Sequence, residues 1–295
     1  MSFTIGVTGA NGYLGSKTIQ ALLNHSLVPA SSIIAICRDP SKASEASSRG
    51  VDVRQADFKD TPSLAKAFKG VHNLFIVSPN VLGDEGKQLT TNAIAAAKAV
   101  GVKKIFYTSH TGAREHTEFV PGSQHYHVEQ KLKQSGLEWT SLRNGFYLSG
   151  TDYLYGKPIE SGSITAPEDG KVSWVDRLDL AEASARILAE QYDTKGVEYL
   201  DLVNAKSWDM AEAAEILSKI TGKEIKRNVV QDKTFVDSFV ANGIPEPMAK
   251  MFSGTVKAMH NGDFAKTDGV LEQIIGRKPK TLDEYLEEKR DKTVM

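Results

Sequence analysis

Cysteine is nearly missing from this 295-residue chain: Cys37 stands alone, so no intramolecular disulfide can form. It lies in an apolar run, where a buried and inert thiol is the expectation. Histidines and cysteines do not cluster at zinc-ligand spacing. No apolar stretch approaches the roughly 20 residues that a membrane-spanning helix needs, so no membrane role is expected. An excess of one charge is lacking too. Lys and Arg total 36 against 37 Asp and Glu, a formal net charge of -1 with no long basic run. No nucleic-acid partner is expected from that balance. An apolar strand beginning by Phe3 leaves no room for a charged leader, so a reduced, cytoplasmic setting is the expectation.

What the chain does have is an ordinary globular composition, 40% hydrophobic and 25% charged. Its length suits one α/β domain plus a smaller companion. Short apolar runs at 3–8, 32–37, 51–55, 72–77, 103–108 and 137–142 read as strands. Helical patterns at 12–24, after Asp39-Pro40, and at 62–69, 85–100 and 123–135 alternate with them. That rhythm predicts a doubly wound parallel sheet, the Rossmann architecture, with right-handed crossovers. Beyond Gly145 the rhythm loosens, and 150–170 is rich in Gly, Ser and Pro. A strand at 172–175 and an amphipathic helix at 178–191 follow, then helices near 209–221, 232–242, 247–261 and 282–290. The expected division is a dinucleotide-binding domain at 1–150, with 171–191 packed on it, and a smaller, mostly helical substrate lobe within 151–295.

The loop Thr8-Gly9-Ala10-Asn11-Gly12-Tyr13-Leu14-Gly15 is a G-x-x-G-x-x-G pattern between a strand and a helix. Gly9 permits the tight turn, Gly12 lets backbone approach a pyrophosphate, and Gly15 lets the helix lie close to the sheet. The amides that open the helix favour phosphate charge. Strand two ends in Cys37-Arg38-Asp39-Pro40-Ser41-Lys42. An acidic residue at this place would accept bonds from a ribose 2′-hydroxyl, whereas an arginine accommodates a 2′-phosphate with its planar fork of donors. Arg38 takes that position, with Lys42 as support. Asp39, immediately before a proline that opens a helix, reads as an N-cap. NADPH/NADP+ is therefore the expected cofactor.

With these features in place, the chain resembles the NmrA-like group of atypical short-chain dehydrogenases, which includes NAD(P)H-dependent quinone and triphenylmethane dye reductases. The stretches that carry the resemblance run from Val102 to Ser109, from Ser135 to Tyr147, from Val175 to Ala183 and from Gly276 to Pro279. The resemblance implies that Gly9, Ala10, Asn11, Gly12, Tyr13, Leu14 and Arg38 hold the cofactor phosphates. It places Asp57 and Phe58 by the adenine, and Val77 and Ser78 along the ribose. Leu142, Arg143, Asn144, Gly145, Phe146 and Tyr147 would border the nicotinamide and the substrate mouth. Plainer roles stay open: Asp57 and Ser78 as loop-end residues bonding backbone, Phe58 as core, Arg38 as a solvated charge.

Standard short-chain dehydrogenases carry Tyr-x-x-x-Lys on the helix before strand six, the tyrosine protonating a carbonyl oxygen. Two literal matches occur here. Tyr13/Lys17 lies in the glycine loop and Tyr153/Lys157 in a loop ended by Pro158, so neither serves. The expected helix reads His125-Tyr126-His127-Val128-Glu129-Gln130-Lys131, with Gln130 where the lysine would stand. His125/Glu129 resembles the His-x-x-x-Glu of the quinone reductase branch, and a surface pair is the plain alternative. His125, Asn144 and Tyr147 are the candidate catalytic residues, and Ser109 stands where standard enzymes place a carbonyl-binding serine. Quinones and cationic dyes accept hydride readily, so positioning matters more than a built acid. Phe146, Tyr147, Tyr153, Tyr155 and Trp174 offer flat walls for an aromatic acceptor. The expected function is NADPH-dependent reduction of a small electrophilic, quinone-like molecule, with a homodimer as one assembly open to it. A dinucleotide-binding redox sensor without catalysis is the alternative. A carbonyl or ether-type reductase like the plant phenolic reductases is disfavoured by the missing lysine.

Overall fold

Short apolar runs separated by turns give a sheet whose central strands are buried on both faces, as a helix-covered parallel sheet requires. A computed structural model describes residues 3–293. Its first strands are β1 (Ile5–Thr8), β2 (Ile33–Cys37), β3 (Asp52–Gln55), β4 (Asn73–Ile76), β5 (Lys104–His110) and β6 (Glu138–Asn144). The short strands β7 (Phe146–Tyr147), β8 (Ser163–Ala166) and β9 (Trp174–Val175) come next, then β10 (Tyr199–Leu202) and β11 (Lys226–Val229). Seven of them form one sheet in the order β10-β6-β5-β4-β1-β2-β3, and every pairing in it is parallel. The chain moves outward from β1 to β3, then returns past β1 to β4. That reversal opens a crevice at the carboxyl ends of β1 and β4, the place where such sheets bind ligands.

Five helices supply the crossovers: α1 (Tyr13–Asn24), α2 (Ser44–Ser48), α3 (Thr61–Phe68), α4 (Gly83–Ala99) and α5 (Val120–Ser135). The short helices α6 (Thr151–Leu154) and α7 (Pro158–Ser161) lead to α8 (Arg177–Leu188). The last five are α9 (Met210–Thr221), α10 (Asp232–Ala241), α11 (Glu246–His260), α12 (Val270–Ile275) and α13 (Leu282–Thr293). One face of the sheet packs on α1, α8 and α12 around Ile5, Val7, Leu142, Leu180 and Leu271. The other packs on α3, α4 and α5 around Ile36, Leu64, Leu74, Ile105 and Leu132. A third core, around Trp174, Trp208, Leu217, Val256 and Phe264, lies under the paired strands β8 and β11.

The late chain differs from its sequence pattern at several points. Tyr199–Leu202 extends the large sheet, and Val270–Ile275 packs beside it, so two segments beyond Lys195 lie with the first domain's core. The four residues of β10 bury only alternate side chains, and their pairing depends on β6 rather than on local pattern. The strand expected at 172–175 shortens to Trp174–Val175, because Val172 instead bridges antiparallel to Trp208. After Asp39 the chain makes a 3-10 turn at Pro40–Ala43 before its short helix.

Candidate active site

The glycine loop adopts the geometry that its residues call for. Gly9 has φ +62°, and Gly12 donates its amide to the Gly9 carbonyl at 2.8 Å. A Cβ on Gly15 would sit 2.4 Å from that same carbonyl oxygen, so no larger residue fits without moving the loop. Asn11 ties the loop to strand two by donating Nδ2 to the Asp39 carbonyl at 2.8 Å, and Ala10 donates its amide to Ile36. Gly12 caps α1 without any side-chain hydrogen bond, and the first turn holds no acid. The opening amides are left for an anion. The Leu14 side chain enters the core, so only its backbone faces the loop.

Arg38 is exposed, and its guanidinium has no hydrogen-bond or ion-pair partner among the described residues. It lines an open hollow with Gln55, Asp57 and Lys66. Asp39 is the cap that its position before proline suggests: its carboxylate accepts from the Ser41 amide at 3.1 Å and hydroxyl at 2.6 Å. The Ser41 hydroxyl holds its pKa below the usual carboxylate value. Asp57 accepts from the Lys59 amide at 2.9 Å, and Phe58 packs against the core beneath it. Val77 sits against Gly9 across the crevice. Ser78 donates its amide to Thr108 Oγ1 at 2.8 Å, tying the carboxyl ends of β4 and β5 together.

The Leu142–Tyr147 stretch divides between faces. Leu142 is buried core. Arg143 points toward α5, where it pairs with Glu129 at 2.6 Å and lies 4.2 Å over the Tyr199 ring. Asn144 is 1% exposed; its Nδ2 donates to Tyr147 Oη at 3.4 Å, and its Oδ1 has no partner. A buried carbonyl oxygen without a donor at the sheet's carboxyl edge is a place for a ligand's N–H. Gly145 carries no Cβ because one would meet the Ser173 carbonyl at 2.8 Å. Burial raises the Tyr147 pKa, so its hydroxyl stays protonated. Tyr155 and Trp174, expected as acceptor walls, are buried in the lobe's core instead. Tyr153 (64% exposed) and Phe146 do line an apolar cavity of about 140 Å³, with Phe119 and Phe252.

The helix carrying His125 and Glu129 departs most from expectation. Glu129 is fully buried, which removes the alternative of a surface pair. Its carboxylate accepts from the hydroxyls of Ser109 (2.8 Å) and Ser141 (2.7 Å) and from both ends of the Arg143 fork. The Ser109 hydroxyl is thereby committed to Glu129 and is not offered to a substrate carbonyl. His125 pairs with the Tyr107 hydroxyl at 2.8 Å, not with Glu129. Burial lowers its pKa to about 4, which keeps the ring neutral. Asn144 and Tyr147 are brought together, whereas no contact among the described residues joins them to His125.

Two residues escaped the sequence reading. Arg177 opens α8, and its guanidinium lies 4.1 Å over the Tyr13 ring and 5.9 Å from that of Tyr147. A cation in a helix's first turn opposes the macrodipole, and that misplacement was its available signal. His110, the last residue of β5, sits among Phe119, Phe146 and Phe264. Nothing in its neighbouring residues marked it.

Uncapped amides at a glycine turn, a partnerless arginine after β2 and an orphaned amide oxygen at the sheet's edge define a dinucleotide-binding protein of the Rossmann type. The chain belongs to the NmrA-like family, whose pattern matches residues 1–287. It is 35% identical over 286 residues to quinone oxidoreductase 2 of Escherichia coli (strain K12), covering 95% of this chain and 96% of that one. It is 27% identical over 284 residues to the NAD(P)H azoreductase of Xenophilus azovorans, covering 95% of each. Among solved structures, the NADPH-dependent quinone oxidoreductase of Escherichia coli complexed with NADPH superposes with a TM-score of 0.89 at 31% identity, over 97% of this chain and 100% of that one. The Citrobacter sp. triphenylmethane reductase complexed with NADP(H) gives 0.86 at 33% identity, over 97% and 99%.

Proposed function

We propose that this chain is an NADPH-dependent oxidoreductase that passes a hydride directly to a quinone or similar electrophilic aromatic acceptor. The observation that carries this reading is the uncapped helix start of the glycine loop together with the partnerless Arg38 guanidinium. The first suits a pyrophosphate and the second a 2′-phosphate. Family relatives named for quinone and azo reduction support the acceptor class.

The nicotinamide supplies the hydride, and the overall change is quinone plus NADPH plus one proton to hydroquinone plus NADP+. The chain's own residues position the partners. Gly9 and Gly12 would let backbone approach the phosphates, and Asn144 Oδ1, without a partner among the described residues, would accept from the nicotinamide's amide N–H. The Tyr147 hydroxyl, held by Asn144, borders the same place. The apolar cavity between Phe146 and the late helix α11 receives the acceptor ring. It is lined from both sides of residue 150, consistent with a substrate lobe meeting the dinucleotide domain. His125, neutral and bonded to Tyr107, leaves the proton to be drawn from solvent. Among the described residues no helix is long and apolar enough to cross a membrane, and the single cysteine is buried. Both fit a cytoplasmic enzyme.

The test is steady-state turnover with NADPH against para-quinones and triphenylmethane dyes. Rates well above the uncatalysed background are expected. Tight NADPH binding without turnover of any acceptor would overturn the reductase reading in favour of a redox sensor. Arg177 supplies a second check. Among the described residues its guanidinium has no carboxylate partner, and it lies on the loop tyrosine, so Arg177→Leu should weaken NADPH binding about tenfold. Arg177→Lys should fall between, since it keeps the charge but loses the planar stack. Unchanged affinity by titration calorimetry in both variants would remove Arg177 from the site.

A further inference from the structure

We propose that His110 is the carbonyl-recognising donor of the acceptor chamber, its Nε2–H bonding an oxygen of the quinone and so favouring oxygen-bearing acceptors. The inference rests on the reductase reading above and names what the site selects.

The case begins with the tautomer. The Gly112 amide donates to His110 Nδ1 at 2.9 Å, so Nδ1 presents its lone pair and the neutral ring carries its proton on Nε2. That Nε2 has no partner among the described residues. Burial lowers the ring's pKa to about 3, with the nearby His125 acting in the same direction, so the group is a neutral donor at any physiological pH. An imidazole N–H without a protein acceptor, on a side chain 9% exposed, is open to an acceptor from a ligand.

Its surroundings define what the acceptor must be. Phe119 lies 4.7 Å from the imidazole centroid, and Phe146 and Phe264 meet it edge-on at 5.4 and 5.2 Å. Gly112 is required for this cage, because a Cβ there would come within 2.5 Å of the Phe264 ring. Phe119 and Phe146, which pack on the imidazole, also line the apolar cavity of about 140 Å³. A volume of this order takes up roughly one benzene ring. His110 pairs in register with Asn144, so donor and dinucleotide edge lie at the same end of adjacent strands. A flat ring with an oxygen at its rim satisfies both the walls and the donor. As hydride reaches the ring, negative charge gathers on that oxygen, and a fixed N–H in an apolar chamber stabilises it before solvent supplies the proton.

The experiment compares His110→Leu and His110→Gln with the parent chain, using NADPH, a para-benzoquinone and a cationic triphenylmethane dye that has no carbonyl oxygen. His110→Leu should lower kcat/KM for the quinone roughly 100-fold. The dye should change less than about threefold, and NADPH affinity should hold. His110→Gln, which restores an N–H, should recover at least a tenth of the lost rate. In the parent chain with labelled histidine and NADP+, adding the quinone should move the Nε2 nitrogen resonance. Equal loss with both acceptors would make His110 a packing residue and overturn the proposal. So would an unmoved Nε2 resonance. A parent chain that reduces neither acceptor would instead overturn the reductase reading itself, and this proposal with it.

Discussion

Replacing Arg38 with Asp is expected to raise the NADPH dissociation constant roughly ten- to a hundred-fold and to leave NADH binding within about threefold. The guanidinium is exposed and has no partner among the described residues, so its loss should not move Tm. Its backbone carbonyl accepts from Gln55 Nε2 at 3.1 Å whatever the side chain, so the turn after β2 stays in place. What the substitution removes is a charge-assisted contact to a phosphate, worth about 1.5–3 kcal/mol. The new carboxylate also repels the dianion, and it can accept from a 2′-hydroxyl. NADH therefore loses little. Binding titrations with both cofactors measure the ratio. Equal losses for NADPH and NADH would show that Arg38 does not read the 2′-phosphate.

The glycine loop was legible in the sequence because each of its glycines answers a backbone demand that no other residue meets, and the closeness of Gly15 to the Gly9 carbonyl is one such demand. Asp39 was legible for a similar reason, since an Asp before a helix-opening proline has a local partner two residues on. The central strands announced themselves by continuous burial. β10 did not, because its pattern includes Asp201 and its partner lies in β6. The burial of Glu129 was not legible for a deeper reason. A charged residue on a helix is assigned to solvent unless something distant neutralises it, and here the neutralising groups come from Ser109, Ser141 and Arg143 on two different strands. His110 shares this blindness. Its cage closes with Phe264, which only the folded lobe brings near.

Glu129 also carries a large expected stability effect. Its carboxylate joins β5, through Ser109, to β6, through Ser141 and Arg143. Glu129→Ala would leave the Arg143 guanidinium partly buried over Tyr199, with two serine hydroxyls losing their acceptor. Removing one partner of a buried ion pair costs about 3–5 kcal/mol, because the other charge stays behind unpaired. At about 2–4 °C per kcal/mol for a chain of this size, Tm should fall on the order of 10 °C. Removing the charge on both sides is different. Glu129→Leu with Arg143→Leu should recover more than half of the lost stability, since apolar replacements of a buried pair are often nearly neutral. The cycle of single and double variants, followed by denaturant unfolding, measures the coupling directly. Asn144 follows Arg143 on the same strand, so the single variant should lower quinone turnover more than its folded fraction explains. A loss below about 1 kcal/mol in Glu129→Ala would mean that water replaces the carboxylate between the strands. The two strand ends would then be held by the sheet alone.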